Sequence, residues 1–262
     1  MTIQLSAQSE RVVPYEYFGD GRVVDLMPVL TKAGYHPGGV AVIVDRRQHA
    51  PEEVRNNFST YFWTGDSAGT DEKGGALLTL DSPLLRQLTP ESLLVNGALK
   101  LEQKQWKELK ADKEHSLYLN HAQVEQAHGK GYVLKDGKFV PANKTVAKAW
   151  NHLNKGKDLQ NYAQQVSEAS KSNDVMRLYF DQSKPNTPTL RSLVVYRVGY
   201  YSLVYGYYSL NYYIGRFAGV APEAHSAREK VLETRVQSAL EAGKAFDFNG
   251  TLYAPVSGVS LK

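Results

Sequence analysis

Between Tyr196 and Tyr213 lie 8 of the chain's 17 tyrosines, packed into 18 residues where average usage gives about one. Their neighbours are Ser, Gly and Asn. That palette suits binding rather than bond making. Tyr offers wide contact area at low rotamer cost, and Ser, Gly and Asn adapt their hydrogen bonds to a partner. A plain half-buried sheet would also favour Tyr. The doublets Tyr200-Tyr201, Tyr207-Tyr208 and Tyr212-Tyr213 argue against it. Successive strand residues face opposite sides, so a regular strand cannot place both rings of a doublet on one face. Part of the tract is therefore expected in loops or on open surface.

The stretch Arg191 to Pro222 has a second peculiarity. It contains no Lys, Glu, Gln, Met or Trp, although these five types supply 53 of the 262 residues. About six are expected in such a window. A codon of the form NNY, with both leading bases free, encodes Phe, Leu, Ile, Val, Ser, Pro, Thr, Ala, Tyr, His, Asn, Asp, Cys, Arg and Gly. The five missing types cannot be reached from it.

This pattern resembles the variable region of proteins diversified by diversity-generating retroelements, the archaeal variable proteins in particular. In that family, adenines of AAY codons in a template repeat are randomised during copying. The diversified segment commonly lies on a C-type lectin fold and ends in a Gly-Phe-Arg-like framework; Gly215-Arg216-Phe217-Ala218-Gly219-Val220 stands at that place here. The resemblance spans about 30 residues, and some 40 follow it. It implies an α+β fold of C-type lectin type, with short antiparallel sheets and a few helices. It also implies a ligand-binding protein with massive sequence variation in a hypervariable segment at about 191–222. The ligand-binding positions it implies are Tyr196, Tyr200, Tyr201, Ser202, Val204, Tyr205, Tyr207, Tyr208, Asn211, Tyr212 and Tyr213, with Ile214 a further candidate for variation. Leu193, Val194, Val195, Gly215, Phe217 and Val220 read as framework, and Arg191, Arg197 and Arg216 as braces or site residues.

Residues for covalent or metal chemistry are sparse. The histidines are His36, His49, His115, His121, His128, His152 and His225, and no HxxxH, HxH or HExxH occurs. His121 and His128 could share a helix face with Glu125 between them, but an exposed polar helix explains them as well. Cysteine is absent, which removes disulfides, thiolate metal sites and thiol nucleophiles. The GxSxG spacing occurs once, at Gly65-Asp66-Ser67-Ala68-Gly69, and by itself does not make a nucleophile, which also needs a strand-to-helix turn and a His and an acid beside it. Tyr35-His36-Pro37-Gly38-Gly39 reads as a structural turn, because a phosphate loop needs its strand before the glycines and a helix after. Gly65-Asp66-Ser67-Ala68-Gly69 reads as a plain loop. The lectin-like fold also carries formylglycine-making enzymes, whose thiol chemistry cannot transfer to a Cys-free chain. The Glu-Pro-Asn, Gln-Pro-Asp and Trp-Asn-Asp calcium motifs of sugar-binding lectins do not occur. No catalysis, metal or cofactor is expected.

The elements around the tract follow from patterning. Composition is that of an ordinary globular chain, 42% hydrophobic and 22% charged, with a net charge of +4 that does not by itself argue for nucleic acid. The chain is expected to form one domain over 1–262. Val40 to Val44 reads as a buried strand, and Pro51-Glu52-Glu53 as the opening of a helix towards Trp63. Ser67 to Gly75 reads as a Gly-rich loop and Ala76 to Leu80 as a short strand. Asp81-Ser82-Pro83 and Thr89-Pro90-Glu91 each read as a helix start, and Glu102 to His115 as a solvated helix. Asp136-Gly137 predicts a hairpin between Tyr132 and Val140. Asn143 predicts a capped helix to Leu153, followed by a second from Asp158 to about Ser170. Lys184 to Pro188 reads as a turn, His225 to Ala242 as a helix ended by Gly243, and Ala245 to Tyr253 as an Asn-Gly hairpin.

The expected partner is a protein surface of unknown identity, engaged through aromatic anchors. Nucleic acid is not obligatory. The rival reading is a single-stranded nucleic-acid binder that stacks bases on Tyr beside three Arg. On the rings-as-surface reading, Ala at Tyr205, Tyr207 and Tyr208 together abolishes binding and barely moves the melting temperature. The N-terminus lacks a basic n-region and an apolar h-region, and no run of about 18 apolar residues occurs, so the default expectation is a cytoplasmic protein without a membrane span.

Overall fold

Turn and cap chemistry sets many of the element ends in this computed structural model, which describes residues 15–19, 21–50, 55–212, 215–220, 246–248 and 251–253. In chain order the first elements are β1 (Tyr15–Phe18), α1 (Val23–Lys32), β2 (His36–Pro37), α2 (Val40–His49), β3 (Phe62–Thr70), β4 (Ala76–Thr79) and α3 (Pro83–Arg86). Then come β5 (Leu94–Val95), β6 (Ala98–Lys100), α4 (Gln103–Ala111), β7 (Ser116–Leu119), α5 (His121–Ala127), β8 (Lys130–Lys135) and β9 (Lys138–Pro141). The remainder are α6 (Lys144–Leu153), α7 (Gln160–Ser170), β10 (Asp174–Phe180), β11 (Thr189–Val195), β12 (Val204–Gly206), β13 (Phe217–Val220), β14 (Phe246–Phe248) and β15 (Thr251–Tyr253). Short 3-10 turns cover Asn56–Phe58 and Val198–Tyr200.

Where the sequence reading draws one domain, the chain divides into two compact units: residues 16–219, and residues 1–15 with 220–262. In the second, β14 and β15 pair antiparallel, Phe246 opposite Tyr253, as the Asn-Gly signal predicts. The helix expected at 225–242 lies outside the described residues, as do Pro51, Glu52 and Glu53. Trp63, the expected end of that second helix, is in strand β3.

In the larger unit the strand order is β1-β13-β3-β11-β12-β10-β8-β9. β11 runs antiparallel to both β3 and β12, whereas β12 runs parallel to β10. β4 pairs with β3 and with β7. The hairpin of β8 and β9 turns at Asp136-Gly137 as expected. Asn143 caps α6 by accepting the Val146 N–H at 2.9 Å. That helix buries Val146, Ala149, Trp150 and Leu153, and the Trp150 indole N–H donates to the Met176 carbonyl at 2.8 Å. Fully burying a side chain such as Val146 or Leu153 stabilises the fold by about 1.5–3 kcal/mol.

Three elements differ from expectation. The run Val40 to Val44 is helical. A short apolar run cannot be told from a buried strand by periodicity alone. What decides it is the continuation: Val40, Ile43, Val44 and Arg47 are all buried, at the i, i+3, i+4, i+7 spacing of one helix face. Next, Gly65 to Thr70 is no loop but the interior of β3, all nine residues of which are buried. Its small residues admit close neighbours. A Cβ at Gly65 would lie 2.6 Å from the Pro37 carbonyl oxygen, and one at Gly69 2.6 Å from the Trp106 ring. Finally, Thr89-Pro90-Glu91 starts no helix. It is a turn in which Ser92 Oγ accepts the Thr89 N–H at 2.9 Å, leading into the hairpin of β5 and β6 around Asn96-Gly97.

Asp66 ties β3 to α2. Its buried carboxylate accepts the Val40 N–H at 2.7 Å, at the start of α2, and the Asp81 N–H at 2.9 Å. Burial raises its pKa to about 6, against the pull of those two hydrogen bonds. A carboxyl raised from 3.8 to about 6 gives stability that is fully present below pH 3.8 and is lost as pH rises through 6. At about 1.4 kcal/mol per unit the loss is about 3 kcal/mol. Asp66→Asn is expected to remove that component. Urea titrations at pH 4 and pH 7 should show a smaller fall in stability for the variant than for the parent, and equal falls would contradict this reading.

Candidate ligand-binding surface

The tyrosine tract is hung from a buried guanidinium. Arg47, on the inner face of α2, is 1% exposed. Its Nε donates to the Phe58 carbonyl at 2.7 Å, and its Nη2 to the carbonyls of Thr60 at 2.7 Å and Tyr196 at 2.9 Å. Its Nη1 donates to the hydroxyls of Tyr162 and Ser202, each at 2.8 Å. One side chain therefore fixes both flanks of the turn at 197–202. Tyr201 and Ser202 there adopt the left-handed backbone region, with φ of 65° and 47°. Such conformations are costly and persist where the surroundings over-determine them. Here the Ser202 N–H donates to the Arg197 carbonyl at 3.0 Å, and the Met176 N–H to that of Tyr201 at 2.6 Å.

Further along, Leu210 anchors the next loop. It is fully buried, its N–H donates to the Gly97 carbonyl at 2.7 Å, and its carbonyl accepts the Val23 N–H at 3.0 Å. The framework positions turn inward as expected: Leu193, Val194, Val195 and Phe217 are buried. Gly215 lies against Trp63, where a Cβ would come within 1.8 Å of the indole nitrogen. Val220 is half-buried. Arg191 is a brace, with Nε 3.3 Å from an Asp181 carboxylate oxygen and Nη2 donating to the Asn96 carbonyl at 3.0 Å. Arg197 is exposed, its guanidinium 5.5 Å from the centre of the Tyr61 ring, and Arg216 is half-buried.

Between these anchors the rings assemble into one network centred on Tyr205. In the parallel pair of β10 and β12, Tyr179 stands opposite Tyr205. Their rings stack at 4.9 Å, close to the spacing between adjacent strands. Tyr205 also meets Tyr196 at 5.5 Å, Tyr207 at 5.2 Å and Tyr208 at 5.1 Å, all edge-on. Tyr207, Tyr208 and Tyr212 stack in sequence at 5.1 and 5.6 Å. Tyr196 stacks on Tyr61 at 5.9 Å and meets Tyr200 edge-on at 6.1 Å. The Tyr207-Tyr208 doublet lies beyond the end of β12, so its rings can share one side, as the strand argument requires.

The outer rim consists of Tyr200, Tyr207 and Tyr212, which are 58%, 39% and 46% exposed, together with exposed Asn211. Tyr196, Tyr205 and Tyr208 form a half-buried inner layer. Tyr201 stands apart, its ring beside Arg177 at 5.9 Å. Ser202 and Val204 are not on the surface. Ser202 is fully buried on Arg47, and Val204 is 2% exposed within β12. Tyr213 and Ile214 lie outside the described residues.

Sequence reasoning missed Tyr61, Trp63, Tyr179 and His128. Only Tyr179 carried a local signal: Met176, Leu178 and Phe180 are buried and alternate with Arg177 and Tyr179. His128 meets the Tyr179 ring edge-on at 5.4 Å, and its Nδ1 accepts the Phe180 N–H at 3.3 Å. Burial lowers its pKa, which favours the neutral ring. His121 pairs with Glu125 at 3.5 Å. Among the described residues no group of three His, Asp or Glu side chains could hold a metal ion, and no helix is long and apolar enough to cross a membrane.

Tyr205, Tyr207 and Tyr208 are held as neutral donors and acceptors. Burial, then neighbouring phenols, pushes Tyr208 up to about 12 and raises Tyr205 and Tyr207 as well. Tyr61, Trp63, Tyr196, Tyr208, Tyr212 and Arg197 enclose a pocket of about 150 Å³. Among the described residues the surface thus offers rings, hydroxyls, this pocket and the Arg197 guanidinium at its wall.

No family model and no curated protein matches the sequence. A solved structure from Nanoarchaeota, described as the accommodation of massive sequence variation by the C-type lectin fold, superposes with a TM-score of 0.57. It is 13% identical and covers 80% of this chain and 98% of its own. The likeness establishes the architecture: this chain has the α+β C-type lectin fold, and its ring network is carried by that scaffold.

Proposed function

We propose that this protein is a non-enzymatic binding protein whose tyrosine-rich segment is diversified by adenine-directed, retroelement-driven copying, and that it captures other proteins on that surface. The observation that carries the reading is a division of labour within residues 191–220. Leu193, Val195, Leu210 and Phe217 are fully buried and hold the backbone, while Tyr200, Tyr207, Asn211 and Tyr212 are exposed on its loops. A scaffold built this way keeps its core whatever its rim presents. The Nanoarchaeota neighbour, described as accommodating massive sequence variation, adds support. Aromatic anchors dominate protein interfaces of this kind. The rings offer less to a nucleic acid, because Tyr179 with Tyr205, and Tyr207 with Tyr208 and Tyr212, already cover one another's faces. No cofactor or metal enters the proposal.

The test is a display library randomised at Tyr200, Tyr207, Asn211 and Tyr212 and panned against an arbitrary folded protein. Most members should fold with melting temperatures within a few degrees of the parent, and binders should emerge. Their affinity should change little between about 50 and 200 mM salt, whereas phosphate-dominated binding falls steeply over that range. A library that largely fails to fold would overturn the reading.

A further inference from the structure

The pocket between the rings differs in kind from the rest of the surface. At about 150 Å³ it is smaller than the roughly 300–1,000 Å³ typical of small-molecule sites. Its size suits a single side chain. Tyr61, Tyr196, Tyr208 and Tyr212 wall it, over buried Trp63. Arg197 is its one charged member. That guanidinium is exposed and lies over the Tyr61 ring. Among the described residues no carboxylate is within ion-pair distance of it, and residues 191–222 contain no Asp or Glu. An aromatic socket whose wall holds a cation with no carboxylate partner among the described residues is complementary to an aromatic group that carries an acid beside it.

We propose that this pocket receives one aromatic side chain of a protein partner, adjacent to an Asp or Glu whose carboxylate meets Arg197. The proposal rests on the binding-protein reading above and specifies the anchor the partner supplies. The ring would bury itself edge-on and offset against Tyr196 and Tyr208, the geometries aromatic pairs prefer. The carboxylate would accept the paired N–H groups of the guanidinium. The rim rings Tyr200 and Tyr207 would then flank the contact and exclude water from it.

Three blocked dipeptides test this by saturation-transfer NMR on the intact chain: acetyl-Asp-Phe-amide, acetyl-Lys-Phe-amide and acetyl-Asp-Ala-amide. The acidic phenylalanine peptide is expected to bind about tenfold more tightly than either of the others, with saturation concentrated on its ring protons. Arg197→Gln changes an exposed residue. It should abolish the preference for Asp over Lys and leave the preference for Phe over Ala. Tyr212→Ala, also exposed, should weaken every Phe peptide. Equal binding of the Phe and Ala peptides would overturn the proposal. So would a thymidine oligonucleotide that displaces the Phe peptide from these rings at low salt. The two readings fail separately. Peptides that do not bind, beside a library that still folds and yields binders, would remove this pocket's role alone.

Discussion

Arg47→Met is expected to lower the unfolding free energy by about 4 kcal/mol, one of the largest effects of any single substitution here. The guanidinium satisfies three carbonyls and two hydroxyls, all reached through buried or half-buried contacts. A methionine fills much of the volume but donates nothing, and each buried acceptor left unpaired costs about 1–3 kcal/mol. These penalties overlap, because the loosened turn lets some acceptors reach water. In a unit of about 200 residues the loss corresponds to a melting temperature lower by about 10 °C. Arg47→Lys should rescue little, since an ammonium cannot reproduce the fork that reaches five acceptors. Circular dichroism melting and urea titration of both variants check this. A cost below about 1 kcal/mol would mean that the turn at 197–202 does not depend on this residue.

Tyr205→Ala should behave differently from its neighbours. The Tyr205 ring touches four others, at 4.9 to 5.5 Å, and packs against the core. Its removal is expected to cost about 2–3 kcal/mol, from lost burial and lost ring pairs. Tyr207→Ala and Tyr212→Ala remove exposed rings and should change stability by about 0.5 kcal/mol or less. Against a partner selected on this surface the order reverses in meaning. Tyr207→Ala and Tyr212→Ala should weaken binding at least tenfold with folding intact, and surface plasmon resonance beside melting curves separates the two effects. The triple replacement of Tyr205, Tyr207 and Tyr208 is therefore not the clean probe that the sequence implies. Two of its three rings belong to the half-buried inner layer.

That difference shows where sequence information ends. Signals carried by neighbouring residues were legible. Asp136-Gly137 placed a hairpin, Asn143 a helix cap and Asn249-Gly250 the final hairpin, because turn and cap preferences act over a few residues. The doublets correctly placed Tyr207 and Tyr208 beyond a regular strand. Signals set by distant partners were not legible. Val40 to Val44 became helical with Asp66, 26 residues away, accepting its first N–H. The small residues of β3 looked like a loop because the Pro37 and Trp106 they accommodate are distant in sequence. Ser202 and Val204 share the codon pattern of the rim yet face inward. Arg47 holds one and the strand register turns the other. Tyr61, Trp63 and Tyr179 reach the site from β10 and from β3 and its approach, and no spacing rule in the tract itself points to them.

The central claim is that evolution varies the rim of this surface while the scaffold beneath it stays fixed. It is tested most directly by sequencing the DNA that flanks the gene. A near-copy of the stretch encoding residues 191–222 is expected beside a reverse-transcriptase gene, with mismatches at adenines. Those mismatches should fall in the codons of Tyr200, Tyr207, Asn211 and Tyr212, and should spare those of Leu193, Val195, Leu210, Gly215 and Phe217. No such repeat, or mismatches concentrated in the codons of the buried residues, would contradict it.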